Sequence, residues 1–429
     1  MAAPRVAVVG GGLAGLAAAH ALKAAGHGVE LFERTRLLGG RATSFTVGTG
    51  TNRHEVDNGQ HVFLGCCTAF IAFVERLGLG DALYLQERFD AVVLRGRTRS
   101  RLRAAPLPAP FHLAPSLLAY RHLPLAERIG LARILPRVRE ALGSQEPFDR
   151  WLARHGQSAA AIRAFWEPFV VPALNAPLDR IAAGDAAFVI ATAFLSEPGA
   201  ARFGWAKLPL ARIAEAAARA LDAVHLSTPV AALEPGPSEV GVRLGSAQGE
   251  RRAFDAVVLA VPPPQLARLG FPCGDDFEAR AIVDIHLWHD RGVDRDFEFA
   301  ALLDAPVQWI FQKAPGYLCC SLSAADAYLG AQTAELVARA WDAVRAALPA
   351  LDGATLLESA VTRNPASTFL PKTGARRPGT RTGEPNVVLA GSWLDTGWPD
   401  TMESAVRSGL AAAAALETTD ALRGLQHAG

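Results

Sequence analysis

An α/β fold, with a parallel sheet drawn from both ends of the chain and a second domain of mixed sheet and helices, is predicted by three features of the sequence. Arg5 to Val9 is a short run of small and β-branched residues that reads as a buried strand. It runs directly into Gly10-x-Gly12-x-x-Gly15 and an Ala-rich segment, Leu16 to Ala25, stopped by Gly26. Nearly four hundred residues later, Asn386 to Gly391 reads as another buried strand, leading to a closing helix from Thr401 to Leu416.

The remaining elements follow in order. Val29 to Glu33 alternates like a second strand, which completes a βαβ unit. A helical pattern covers about Thr68 to Leu83, ended by Gly78 and Gly80. Residues 105 to 220 are dominated by helix-period segments broken by proline, as expected of a helical insert that caps a pocket. Val224 to Leu233, Val240 to Leu244 and Phe254 to Val261 read as strands. Ile282 to Trp288 and Tyr317 to Leu322 read as strands of a second, substrate-side sheet. The expected division is a discontinuous nucleotide-binding domain from residues 1–70, 215–270 and 380–429, and a substrate domain from 71–214 and 271–379.

Composition bounds the function. The 429 residues are 50% hydrophobic and 20% charged, enough for two joined globular domains. Lys and Arg number 43 against 42 Asp and Glu, so nothing electrostatic favours nucleic acid as a partner. Cys66, Cys67, Cys273, Cys319 and Cys320 include no CxxC pair and read as small buried hydrophobes in a reducing compartment. The first strand begins too early to leave room for a signal peptide, and no run reaches the roughly 18 apolar residues of a membrane span. The expected location is cytoplasmic, with peripheral contact on the inner face of the cytoplasmic membrane left open, as is the oligomeric state.

The glycine motif carries the first chemical inference. Gly10 permits a tight turn, Gly12 lets the backbone approach a pyrophosphate, and Gly15 allows close helix–strand packing. The following helix offers free N–H groups and a positive dipole end to phosphates. Glu33 ends the second strand, 18 residues after Gly15, where an acid binds ribose hydroxyls; this favours FAD or NAD over NADP. Next, Glu33-Arg34 and Leu38-Gly39-Gly40-Arg41 place a glycine loop and a fixed positive charge beside the dinucleotide. The second helix N-terminus, near Thr401, suits a flavin that carries negative charge on its pyrimidine edge when reduced, and so decides for FAD.

With these residues in view, VAVVGGGLAGLAAAHAL at the N-terminus, the segment from Glu33 to Ala42 and the C-terminal AGSW…GWPDTMESAVRSG resemble the amine oxidase and phytoene desaturase superfamily of flavoproteins. Val56-Asp-Asn-Gly-Gln-His61, Phe165-Trp-Glu-Pro168 and Leu174-Asn-Ala-Pro177 resemble its squalene-associated branch, the bacterial hydroxysqualene dehydroxylases of hopanoid and squalene biosynthesis. The resemblance spans nearly the whole chain. It implies an FAD-binding Rossmann-like domain of the glutathione-reductase type, and an isoprenoid lipid substrate. It also implies that Gly10, Gly12, Leu13, Ala14, Gly15, Glu33, Arg34, Gly40 and Arg41 bind FAD, with Gly59 and Gln60 beside the isoalloxazine. Val230 would meet the adenine, and Gly391, Thr401 and Met402 would close the flavin site. Where the superfamily usually has an acidic ribityl contact this chain has Ser392, whose hydroxyl can make the same bond; Asp395 is a candidate substitute.

The implied reaction replaces an allylic hydroxyl by hydrogen, using reduced FAD, a greasy tunnel and a proton donor. His61 is the first candidate donor, because it titrates near neutrality. Asp57 is the second, since burial would let it hold a proton. Glu167, in the helical region, is the third. Phe165, Trp166, Phe169, Trp205 and Trp309 are candidate tunnel walls, and Phe111 to Tyr120 with Arg121 a candidate bilayer contact. The alternatives are a carotenoid or phytoene-type desaturase, an amine oxidase of the same fold, and a non-catalytic FAD- or isoprenoid-binding protein.

Overall fold

The computed structural model describes residues 3–49, 52–272, 276–292, 297–372 and 375–418; Cys273 lies outside them. Five parallel strands form one sheet in the order Ala223–His225, Gly28–Phe32, Arg5–Val9, Ala256–Leu259, Val387–Leu389. Arg5–Val9 sits at its centre, and an apolar strand suits that place because both of its faces are covered. On one side lie the helices Leu13–Ala24 and Met402–Glu417, packed so closely that a Cβ on Gly409 would stand 2.3 Å from the carbonyl oxygen of Ala14. The two ends of the chain are thus joined through backbone contact. On the other side, Val240, Val242 and Phe254 of a three-stranded antiparallel sheet cover Ala7, Val9, Val257 and Leu259.

The second sheet has seven strands, in the order Leu356–Pro371, Phe277–His289, Tyr317–Leu322, Trp309–Ala314, Phe299–Leu302, Asp90–Arg95, Thr98–Arg103. One face is closed by the helix Thr333–Ala347, whose Leu336, Ala340, Trp341 and Val344 meet Val283, Ile285, Leu287 and Ile310. The opposite face presents Phe299, Trp309, Phe311 and Cys319 to the helical insert. Alternation along each strand therefore separates a structural face from a face that looks into the substrate side.

Three sequence expectations are corrected. The stretch 105 to 220 is not wholly helical, for Phe203–Ala206 is a strand between Phe63–Leu64 and Leu83–Leu85. The helix from Thr68 ends at Arg76, because Gly78 takes a positive φ of 74°. Val224 to Leu233 is two strands in two sheets, Ala223–His225 and Val230–Pro235. Ser227 adopts φ 52° between them and turns the chain out of the parallel sheet.

Candidate active site

The nucleotide end is built by backbone proximity. A Cβ on Gly15 would lie 2.0 Å from the carbonyl oxygen of Gly10, so only glycine lets the first helix start against this turn. Gly12 has no atom nearer than Gly40 Cα at 4.0 Å to its missing Cβ, which leaves its surface open to a ligand. The Gly11 N–H donates to Glu33 Oε2 at 2.8 Å, while Glu33 Oε1 accepts from Thr35 N–H and Oγ1–H at 2.8 and 2.9 Å. Glu33 is buried and aimed at the glycine turn, as a ribose ligand must be. The Gly39 N–H donates to the Gly11 carbonyl at 2.8 Å, which holds the second glycine loop alongside the first. Leu13 and Ala14 are buried in the first turn of the helix; Arg34 is exposed, and Val230 is half-buried at the start of its strand.

The flavin end joins distant segments. Arg41 donates to Asp400 through both terminal nitrogens, at 3.0 and 3.1 Å, to the Ser367 carbonyl at 2.8 Å, and to Ser392 Oγ. Asp400 also accepts from the Phe369 N–H at 2.7 Å. Burial pushes the Asp400 carboxyl up, but the Arg41 charge and the bonds from Arg41, Ser392 and Phe369 outweigh it and hold the group below the usual carboxylate range. Asp395, the substitute weighed for the acidic ribityl contact, is exposed; Asp400 is the acid bonded to Ser392, five residues nearer the final helix. Thr401 caps that helix by accepting from the Ser404 N–H at 3.3 Å, and Met402 begins it. The Gly391 N–H donates to Ser408 Oγ at 2.9 Å, so the strand end is tied to the helix it precedes. With an open glycine turn, an acid behind it and a second capped helix N-terminus, the residues present fit FAD.

The third part is the loop after the strand Asn52–Asp57. Gly59 has φ 103°, and its carbonyl accepts from His61 Nδ1–H at 2.8 Å. Since a carbonyl only accepts, Nδ1 carries the proton and Nε2 is the basic nitrogen. Burial, together with the Lys313 and Arg41 charges, lowers the His61 pKa against the pull of Gly59 and Asp57, so the ring is neutral near pH 7. Asp57 accepts from Ser44 Oγ–H at 2.7 Å and from the Leu210 N–H at 3.0 Å, with Lys313 Nζ 3.7 Å away. Gln60 is half-buried in the same loop and gives its backbone N–H to Asp284. Glu167 lies in the helical insert, where the nearby charges are Arg163 and Asp304; burial raises its pKa.

The structure thus brings His61, Asp57, Gly59 and Gln60 together, and the charges that surround Glu167 belong to other segments. It also adds Asp284, His286, Lys313 and Asp400, which sequence reasoning missed. Asp284 and His286 had a signal, being polar residues at alternate positions of the otherwise apolar run from Ile282 to Trp288. Lys313 and Asp400 had none, since each is defined by a partner distant in sequence.

This protein is an FAD-dependent oxidoreductase, and its two helix ends, one beside the buried Glu33 and one capped by Thr401, fit such a cofactor. The chain belongs to the flavin-containing amine oxidoreductase family, whose model matches residues 13–416. It is 31% identical over 431 residues to hydroxysqualene dehydroxylase from Rhodopseudomonas palustris, covering 95% of this chain and 97% of that protein. A hydroxysqualene dehydroxylase from Sinorhizobium fredii is 29% identical over 420 residues, with the same coverage of both chains. Among solved structures, cyclohexylamine oxidase from Brevibacterium oxydans superposes with a TM-score of 0.72 at 19% identity, covering 99% of this chain and all of the other. That last likeness speaks for the fold alone.

Proposed function

We propose that this chain replaces the allylic hydroxyl of hydroxysqualene by hydrogen, giving squalene and water, with reduced FAD as the reductant. The observation that carries the reading is an apolar pocket whose walls include Leu113, Leu117, Leu135, Phe165, Phe169 and Phe194. Its aromatic wall continues from Phe169 to Trp309 and Phe203, at centroid distances of 5.8 and then 6.0 Å. Phe203 lies on the strand paired with Phe63–Leu64, and Val62 packs against the same core, so the apolar wall reaches the segment that follows His61. A polyene chain suits such walls, and a polar amine does not.

When bound in its reduced form, FAD supplies the hydride. Gly10, Gly12, Leu13, Ala14, Gly15, Glu33, Arg34, Gly40, Arg41, Val230, Gly391, Ser392, Thr401 and Met402 would hold it, with Gly59 and Gln60 on the adjoining loop. The aromatic wall excludes water that would otherwise capture an allylic cation. His61, whose neutral ring leaves Nε2 without a proton, would have to take one up before serving the departing hydroxyl as its donor.

The helical insert supports entry of the substrate from a bilayer. Leu107, Phe111, Leu118, Leu125, Ile129 and Leu142 are exposed there, although most exposed positions elsewhere are polar. Arg121, Arg133 and Arg137 stand exposed among them and match anionic headgroups. No helix among the described residues is long and apolar enough to cross a membrane, and the contact proposed is peripheral.

The test is an anaerobic reaction of the reduced protein with hydroxysqualene. Return of the oxidised flavin band as squalene appears supports the reading. Persistent reduced flavin without squalene sinks it, and the oxidised protein would then be tried on polyenes and amines.

A further inference from the structure

The segment 105–119 of the helical insert separates the apolar pocket from solvent by a single layer of chain. Leu113 and Leu117 form part of the pocket wall. Phe111 and Leu118, one or two residues away, are 64% and 49% exposed. Both ends are anchored: the Ala104 N–H donates to the Phe89 carbonyl at 2.9 Å, and the Tyr120 hydroxyl donates to the Ala164 carbonyl. Between the anchors the backbone bonds to itself, with Ala105 N–H on the His112 carbonyl at 2.8 Å and His112 N–H on the Pro108 carbonyl at 3.2 Å. Among the described residues, Arg128 is the one side chain outside the segment that hydrogen-bonds to it. Its Nη1–H donates to the Leu118 carbonyl at 2.7 Å, and its Nε–H to the Leu123 carbonyl at 2.7 Å.

His112 opposes this closed arrangement. It has no exposed surface, and neither ring nitrogen has a hydrogen-bond partner among the described residues. A buried polar group without a partner is costly, and turning the segment outward would return the ring to water or to headgroups. The leucines act in the other direction, because outward movement in water would expose Leu113 and Leu117. Against a bilayer that cost disappears, since lipid tails are as apolar as leucine. The segment is therefore balanced to stay shut in water and to open on lipid. Charge fits the same partner. No Asp or Glu occurs between Ala91 and Ala126, Arg121 stands exposed just after the segment, and Arg133 stands exposed on the helix Leu125–Ile134 packed against it.

Resting on the reading of the substrate as an isoprenoid lipid, we infer that the segment 105–119 is the entrance gate of the apolar pocket, latched by Arg128 and opened by an anionic lipid surface. Phe111 and Leu118 enter the bilayer first. Arg128 then exchanges the Leu118 carbonyl for a headgroup phosphate, a stronger, charge-assisted partner. Leu113 and Leu117 turn into hydrocarbon, and the substrate passes from bilayer to pocket without crossing water. Away from lipid the closed gate keeps water out of the pocket.

The experiment compares FAD-loaded wild type with His112→Leu and Arg128→Met. The probe is squalane, a saturated isoprenoid that cannot react, carried in vesicles of phosphatidylserine or of phosphatidylcholine. Hydrogen exchange of the amides of residues 111–118 without lipid reads the opening itself. Squalane recovered with the protein, per vesicle-bound molecule, reads passage through the gate. Losing a hydrogen bond from a charged donor shifts an equilibrium by about 10-fold, and removing an unpartnered buried polar group shifts it about as far the other way. Arg128→Met should therefore exchange about 10-fold faster than wild type and His112→Leu about 10-fold slower, with loading from phosphatidylserine in the same order. His112→Leu removes no side-chain hydrogen bond, so its slower loading remains a test even if Arg128→Met does not fold. Equal exchange and equal loading in all three proteins overturn the gate. Wild-type loading as fast from phosphatidylcholine, or from squalane dispersed without lipid, overturns the anionic surface as its opener. Loading from neither vesicle overturns the isoprenoid pocket, and the gate with it. If squalane loads in the expected order but hydroxysqualene yields no squalene, the dehydroxylase reading fails and the gate stands.

Discussion

Arg41 and Asp400, 359 positions apart in the sequence, face each other through two hydrogen bonds at 3.0 and 3.1 Å. The pair joins the glycine loop of the first βαβ unit to the turn before the final helix. It therefore ties together the two segments proposed to hold the flavin.

Removing the acid should weaken that closure. Truncating one partner of a hydrogen-bonded charge pair costs about 2–5 kcal/mol, and the partial exposure of Arg41 places the effect at the lower end. Asp400→Ala should accordingly raise the Kd for FAD by about 30-fold, with Asp400→Asn less affected because it keeps acceptor geometry. Titration of apoprotein with FAD, followed by flavin fluorescence, measures both; equal affinities for wild type and Asp400→Ala would refute the assignment.

His286 predicts a pH dependence of stability. Burial, with Lys313 close by, lowers its pKa to about 4 against the opposing charge of Asp57. Between about pH 4 and 6.5 the unfolded chain binds this proton and the folded protein does not. The contribution is therefore complete above about pH 6.5 and is lost as pH falls towards 4, amounting to about 3 kcal/mol. Urea unfolding at both ends of this range should show a steeper acid loss in the wild type than in His286→Gln. Parallel losses would mean that His286 does not titrate on unfolding.

The sign is opposite for Asp284. Its pKa is raised to about 6, so the folded state binds the proton more tightly than the unfolded chain. Stability from this group is present below about pH 4 and lost as pH rises through 6, a penalty of about 3 kcal/mol at neutrality. Asp284→Asn should melt higher than the wild type at pH 7.5 and at the same temperature near pH 4. A lower melting temperature at pH 7.5 would show that the ionised carboxylate stabilises the fold.

The apolar surface of the insert gives a prediction about lipid. Phe111 and Leu125 are 64% and 59% exposed. Burying such a side chain in a bilayer is worth about 1.5–3 kcal/mol, so Phe111→Ser with Leu125→Ser should weaken binding to anionic vesicles by at least about 10-fold. Flotation with phosphatidylserine vesicles measures this, and undiminished binding would remove the insert as the contact.

Much of the nucleotide half was legible because its signals are local. Gly10-x-Gly12-x-x-Gly15 lies in one turn, Glu33 ends the next strand, and Thr401 caps the helix it precedes, so spacing alone carries each meaning. The strand Tyr317–Leu322 was legible in the same way, being a short, mostly apolar run. The strand Phe203–Ala206 was not, because FGWA has no period of its own and pairs with Phe63–Leu64 and Leu83–Leu85, far away in sequence.

The sequence by itself determined that this protein is an α/β flavoprotein whose parallel sheet is drawn from both chain ends. Backbone conformation and short-range capping suffice for that, since each depends on neighbours within a few residues. Only the tertiary structure decided which acid meets Ser392, which carboxyl lies behind Gly59, and where the apolar walls converge. Those facts depend on burial and on charge pairs between segments hundreds of residues apart, and a carboxyl's protonation follows from the surroundings that folding assembles.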